Sequence, residues 1–303
     1  MQNKILEVRN VSKKYGKKEV LRNVSFVIYS GEIVGLVGPN GAGKTTLMAI
    51  IAGLIRNYEG NIYIDGRNIK EGSVEKKQVG CVIESPGFYP NLTGYENLKF
   101  FSKIFGNVND SEINEVVKLL GLEKVIYQKT VKYSMGTKQR LGIAQAVLGD
   151  PRLLVLDEPT NGLDPNITPV VRNFLKDIVR KKSIGILISS HVLSEIEAIC
   201  DRVLFIRNGE VIEEVNLNQE NKTSVSYIFE TNSVEDLVKF FEARGIKAII
   251  EGEGKIKVVI TSEMFENLLP QIVQKGIIVK GIYKQKISLE ERFIKKMEGK
   301  IIE

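Results

Sequence analysis

The stretch Gly38-Pro39-Asn40-Gly41-Ala42-Gly43-Lys44-Thr45 fits G-x-x-x-x-G-K-[ST], and it leaves the chain around it few options. An apolar segment, Glu32 to Val37, runs into it and reads as a buried strand. Thr46 to Leu54 runs out of it and reads as a helix. Strand, glycine loop and helix together make a phosphate cradle. The glycines let successive N–H groups turn inward, and the helix start adds unpaired donors and a positive dipole end. Lys44 can set its ammonium against β- and γ-phosphates, and Thr45 offers a hydroxyl to Mg²⁺.

Other residues fall where such a loop needs chemistry. Leu153 to Leu156 reads as a buried strand and ends in Asp157-Glu158. Asp157 can hold Mg²⁺ directly or through water, and Glu158 can accept a proton from the attacking water or orient it. Val79 to Ile83 is another short apolar strand, ending on Glu84. That carboxylate either points to the ligand crevice of an α/β sheet or is a solvated surface group. Ile184 to Ile188 is a third such strand. It leads through Ser189-Ser190 to His191, the single histidine, which is either incidental or able to donate to a γ-phosphate or hold the water. Ser134-Met135-Gly136 opens a helix carrying Leu141, Ala144 and Val147, and it reads as an anion-ready helix start or as an ordinary N-cap. Asn161 to Pro165, with Asp164, is a tight turn. Tyr15 lies in an earlier turn and either packs or offers its ring to an adenine.

Between these points the pattern is regular. Residues 5 to 28 alternate as strands, with Val24, Phe26 and Ile28 on one face. Residues 91 to 148 read as helices. Thr93-Gly94-Tyr95-Glu96 is a capping box, and Ile113, Val116, Val117 and Leu120 form a core-facing stripe. Residues 214 to 222 are polar and read as a linker between a domain at 1–214 and a second at 223–303. The second reads strand–helix–strand–strand–helix–strand, a ferredoxin-like order in a small α+β domain. Its first helix is capped at Asn232-Ser233, and a last helix is capped at Ser288-Leu289-Glu290-Glu291.

Composition narrows the setting. No apolar run approaches the roughly 18 residues that span a bilayer, and Glu7 interrupts the N-terminus where a signal peptide needs apolar length. The expectation is a soluble, intracellular chain. Cys81 and Cys200 are isolated, which fits a reducing compartment and argues against a zinc site. The net charge of +6 reads as an ordinary solvated surface; it would also suit a chain close to anionic lipid or handling a nucleotide, and it is too diffuse to point to nucleic acid.

Taken in order, Tyr15, the 38–45 loop, Glu84, Ser134-Met135-Gly136, Asp157-Glu158, Asp164 and His191 resemble the motifs of an ATP-binding-cassette ATPase, over residues 1 to about 214. The resemblance implies an α/β core with an antiparallel β subdomain and a helical subdomain. It implies ATP and Mg²⁺ as cofactors. ATP would be held by Tyr15, by Gly38, Pro39, Asn40, Gly41, Ala42, Gly43, Lys44, Thr45 and Thr46, and by Ser134, Gly136 and Asp164. Mg²⁺ would be held by Thr45, Asp157 and Glu84. Glu158, His191 and Glu84 would be catalytic. It also implies two chains, alike or similar, paired head to tail so that each Ser134 helix closes on the other's ATP.

Tyr133-Ser134-Met135-Gly136-Thr137 resembles the family signature, usually Leu-Ser-Gly-Gly-Gln, but differs at three positions: Ser134 and Gly136 are kept, and Met135 replaces a glycine. The larger departure is Glu84, where glutamine is usual. The stretch Glu84 to Thr93 is similar to the bacitracin- and lantibiotic-self-protection branch, and Ser288 to Phe293 is similar to the tail of peptide- and drug-export ATPases. The implied partner is an integral-membrane permease, which would hold this chain on the cytoplasmic face of the membrane. A soluble cassette ATPase acting on DNA or the ribosome is the alternative, but such chains usually carry two cassettes or long coiled-coil insertions. A P-loop kinase or GTPase would leave the Ser134 helix and His191 as coincidences.

Overall fold

The computed structural model describes residues 3–71, 78–105, 108–217 and 225–285. The chain forms two compact units, Met1–Val215 and Asn216–Glu303.

The first unit begins with β1 (Lys4–Tyr15) and β2 (Lys18–Tyr29), then β3 (Ile33–Val37) and α1 (Lys44–Ile51). β4 (Glu59–Ile64), the short β5 (Arg67–Asn68) and β6 (Val79–Val82) follow. Three helices come next: α2 (Gly94–Phe105), α3 (Asp110–Leu119) and α4 (Met135–Val147). The unit closes with β7 (Leu153–Asp157), α5 (Thr168–Lys182), β8 (Gly185–Ser189), α6 (Leu193–Ile199), β9 (Arg202–Arg207) and β10 (Glu210–Asn216).

Among the described residues these strands make two sheets, ordered β2-β1-β4-β5 and β10-β9-β3-β8-β7-β6. In the second sheet β3, β6, β7, β8 and β9 pair in parallel. β3, β7 and β8 are buried at every position, as expected for central strands covered on both faces. The alternating strands pack their apolar side onto this sheet. Val24, Phe26 and Ile28 are buried, as the period of two requires, in one core with Leu36, Leu47 and Leu153.

The helical stretch follows its stripes and caps. Thr93 and Glu96 close the capping box reciprocally, with Glu96 N–H on Thr93 Oγ1 at 3.1 Å and Thr93 N–H on Glu96 Oε2 at 2.7 Å. Ile113, Val117 and Leu120 are buried along α3. Asn97, fully buried, uses its amide to accept from Tyr89 N–H and to donate to the carbonyls of Tyr89 and Thr93, which fixes the 89–93 loop.

The second unit comprises β11 (Val225–Thr231), α7 (Val234–Glu242), β12 (Ala248–Ile250), β13 (Lys255–Ile260), α8 (Ser262–Gln274) and β14 (Val279–Gln285). Its sheet, ordered β12-β13-β11-β14, is antiparallel, the ferredoxin-like arrangement. Leu237 and Phe241 of α7 join Phe229 and Ile256 in a separate core. The expected cap at Asn232-Ser233 is not made by a side chain. Ser233 is the N-cap without a side-chain bond, and its N–H donates instead to Thr231 Oγ1 at 2.9 Å. The Ser233 backbone lies at φ −102° and ψ 55°, outside the extended region from which an N-cap side chain reaches the N2 or N3 amide. Of the linker expected at 214–222, residues 214–216 instead end strand β10, with Val215 buried, and residues 218–222 lie outside the described residues, as does the last helix expected at Ser288–Glu291.

Candidate nucleotide site at the sheet's carboxyl edge

β3 delivers the chain to the glycine loop, and α1 takes it away. The helix starts at Lys44, two residues earlier than the sequence pattern suggests, because Gly43 is a left-handed N-cap with φ 104°. A Cβ there would sit 2.8 Å from the Val20 carbonyl oxygen, so only glycine fits. Glycine also has no side chain with which to cap the helix. The first bond back into the turn is Leu47 N–H on Gly43 O, at 2.9 Å. The N–H groups of Lys44, Thr45 and Thr46 are thus left for an external acceptor, which is what a phosphate needs. Pro39, Asn40 and Gly41 form the exposed rim, and Ala42 N–H closes the turn on Pro39 O at 3.1 Å. Lys44 is buried and folds back over the loop, its Nζ donating to Gly38 O at 2.7 Å and Pro39 O at 3.2 Å. Burial pushes its pKa down, against the opposing pull of the Glu158 and Asp157 carboxylates.

The acids arrive from the neighbouring strands. Asp157 ends β7 and Ser189 ends β8, opposite each other in parallel register. Thr45 Oγ1 donates to Asp157 Oδ2 at 2.9 Å. Ser189, fully buried, donates its hydroxyl to Asp157 Oδ1 and accepts the Glu158 N–H at 3.0 Å. One serine therefore aligns both acids. Sequence reasoning passed over it, although a polar residue closing an all-apolar buried strand was the available signal. Glu158 leaves the strand in the left-handed region, φ 50°, and its Oε2 meets His191 Nδ1 at 2.5 Å. The loop, Asp157, Glu158 and His191, which are far apart in the chain, therefore form one connected edge.

Glu84 follows β6, the strand next to β7. β6 runs parallel to β7 with Val82 opposite Leu156, and Glu84 follows two residues later, exposed, with φ 60°. Among the described residues it makes no hydrogen bond or ion pair to Thr45, Asp157 or Glu158. No group of three or more His, Cys, Asp or Glu side chains there could hold a metal. The Thr45 hydroxyl and the Asp157 carboxylate, paired at 2.9 Å, are hard oxygen donors of the kind that would hold Mg²⁺.

Tyr15 ends β1, half exposed, with the Lys13 ammonium 4.7 Å from its ring centroid. Ser134, Gly136 and Asp164 form a second locus. Ser134 caps α4, accepting Thr137 N–H at 3.2 Å. Gly136 lies so close to the 162–164 turn that a Cβ would be 2.8 Å from the Gly162 carbonyl oxygen. Asp164 ties that turn to the start of α5, its Oδ1 accepting Asn166 N–H at 2.8 Å. Met135 is exposed on the locus. Among the described residues, neither Ser134 nor Gly136 hydrogen-bonds to the 38–45 loop. No helix of the described residues is long and apolar enough to cross a membrane.

Comparison with known proteins agrees with this geometry. Residues 21–161 match the family model described as ABC transporter. The chain is 39% identical to an uncharacterized ABC transporter ATP-binding protein, YdbJ, of Bacillus subtilis (strain 168), over 96% of this chain and 94% of the relative. It is 36% identical to the bacitracin transport ATP-binding protein BcrA of Enterococcus faecalis, over 97% of each. Among solved structures, the dimeric post-hydrolysis state of the ATP-binding cassette MJ0796, bound to ADP and Pi, superposes with a TM-score of 0.64. It is 26% identical, covering 70% of this chain and 99% of that one.

Proposed function

The chain belongs to the ABC transporter family as an ATP-binding, ATP-hydrolysing subunit, and from that premise we propose that it powers export of a peptide antibiotic by a separate permease. A transport ATPase with no membrane-crossing helix among its described residues acts through a membrane partner and as a dimer. The observation that carries the residue roles is the connected edge: Thr45 on Asp157, Ser189 on both acids, and Glu158 on His191.

In this reading the loop from Gly38 to Thr46 and the Lys44 ammonium hold the phosphates, and Tyr15 takes the adenine on the ring face opposite Lys13. Thr45 and Asp157 would hold Mg²⁺, which would supply positive charge against the triphosphate. Glu158 orients the attacking water and takes its proton as the bond from the γ-phosphorus to the bridging oxygen breaks. The leaving ADP oxygen departs with the electron pair. His191 fixes the Glu158 carboxylate and faces the γ-phosphate. Ser134, Gly136 and Asp164 complete the ATP site of the other chain, which gives their exposed locus a purpose and makes the dimer head to tail. The substrate class rests on the full-length similarity to a bacitracin transport ATPase, which includes the second unit, and on Glu84 with the residues after it.

Glu158→Gln tests the reading. Turnover should fall at least about 100-fold, ATP binding should persist, and the variant should accumulate as an ATP-bound dimer in gel filtration. Cells carrying it with the permease should lose protection against bacitracin-type peptides. Undiminished turnover or full protection would sink the assignment.

A further inference from the structure

Helix α4 holds the loop after β7 at two places. At its first turn, Gly136 touches the Gly162 backbone, and the Met135 sulfur lies 2.9 Å from where a Gly162 Cβ would be. One turn on, Gln139, only 4% exposed, sends its Nε2 to the Glu158 carbonyl oxygen at 3.3 Å. The same carbonyl receives Asn161 N–H at 3.1 Å. The Glu158 amide is held from the other side, by Ser189 O at 3.2 Å and Ser189 Oγ at 3.0 Å. Both peptide groups of a residue with φ 50° are therefore clamped. A left-handed glutamate costs on the order of 1–2 kcal/mol. Without both clamps the backbone can relax and swing the carboxylate off His191.

We propose that Gln139 is a positioning residue for the Glu158 carboxylate, and that it links the Ser134–Gly136 end of α4 to the hydrolytic edge of the same chain. This rests on the reading above, in which that end of α4 meets the ATP held by the other chain. Closure of α4 on one nucleotide then sets the backbone of the glutamate that acts on the second. The coupling is mechanical and short: one helix turn, one amide, one peptide carbonyl. The amide suits the task because its NH₂ donates to a carbonyl from a buried position where a cation would be costly to desolvate. Methionine at that position keeps the volume and loses the donor.

The experiment compares four full-length proteins: wild type, Gln139→Met, Glu158→Gln and the double variant. ATPase kinetics, ATP-dependent dimerisation and thermal midpoint are measured on each. Gln139→Met should lower kcat about tenfold while KM for ATP changes less than about twofold, the signature of lost transition-state alignment. Its thermal midpoint and ATP-driven dimer should match wild type. In the Glu158→Gln background, adding Gln139→Met should change residual turnover by less than about twofold, because the group it positions is gone. Unchanged kcat in Gln139→Met would overturn the inference. So would a fall in kcat accompanied by a lower midpoint or a lost dimer, which would make Gln139 a packing residue. An equal tenfold loss in both backgrounds would overturn it as well. If Glu158→Gln alone keeps full turnover, the underlying assignment of Glu158 fails instead, so the two failures are told apart.

Discussion

The two units use the left-handed backbone region differently. In the second, among the described residues, every positive φ belongs to glycine: Gly245, Gly252, Gly254 and Gly276. In the first, eight other residues share it: Asn10, Asn23, Asp65, Glu84, Asp150, Glu158, Ser183 and Asn208. Asn and Asp tolerate that region, and Ser183 ends α5. Glu84 and Glu158 have no such excuse, and both lie just beyond adjacent parallel strands at the nucleotide edge. The same unit buries Lys44 and Asp157, whereas among its described residues the second unit buries only Ser226 and Thr231 of the polar ones, both uncharged. The second unit is built for its own stability. The first tolerates strain and buried charge where the chemistry needs a carboxylate aimed out of the sheet.

The largest effect that could break this contrast lies in the second unit. Phe241 is fully buried and meets the Phe229 ring at 5.2 Å, edge to face. Phe241→Ala should cost that unit about 3–5 kcal/mol, read as a lowered unfolding transition in calorimetry, while ATP hydrolysis at a temperature below that transition stays at the wild-type rate. A parallel loss of hydrolysis would show that the site depends on the second core.

A smaller effect should have the opposite sign. Glu158→Gly removes the backbone cost of a left-handed glutamate and should stabilise the first unit by about 0.5–1 kcal/mol while abolishing turnover. Chemical denaturation reads it. A loss of more than about 1 kcal/mol would mean that the His191 contact holds the fold together as well as the chemistry.

The smallest effect concerns Glu84. A carboxylate near the triphosphate is costly without metal, and glutamine is not. Glu84→Gln should tighten ATP binding about threefold in chelator and leave it unchanged in Mg²⁺, with basal hydrolysis preserved. Isothermal titration in both conditions decides it. Equal affinities throughout would make the residue electrostatically neutral, in keeping with its exposed position.

How much of this was legible in the chain depends on how local the cause is. Strand, loop and helix at 32–54 were readable because glycines, one lysine and flanking apolar runs specify them within a few turns of chain. The capping box at Thr93 and Glu96 was readable for the same reason. The missing side-chain cap at Ser233 was not, because it follows from a backbone conformation at φ −102° and ψ 55° that the four-residue pattern does not specify. Ser189 and Gln139 were not singled out either. Neither belongs to a local motif, and their partners stand 32 and 19 residues away.

The sequence by itself determined the phosphate loop, the acids after the strand, the lone histidine and the order of elements in both units. Periodicity and residue chemistry act over a turn or a strand, and those features need nothing longer. Only the tertiary structure decided that Ser189 aligns Asp157 with Glu158, that Gln139 reaches the Glu158 carbonyl, and that Glu84 leaves β6 exposed in the left-handed region. Parallel register and the left-handed turns after β6 and β7 set those distances. Register between strands is fixed by packing of the whole sheet rather than by either strand alone.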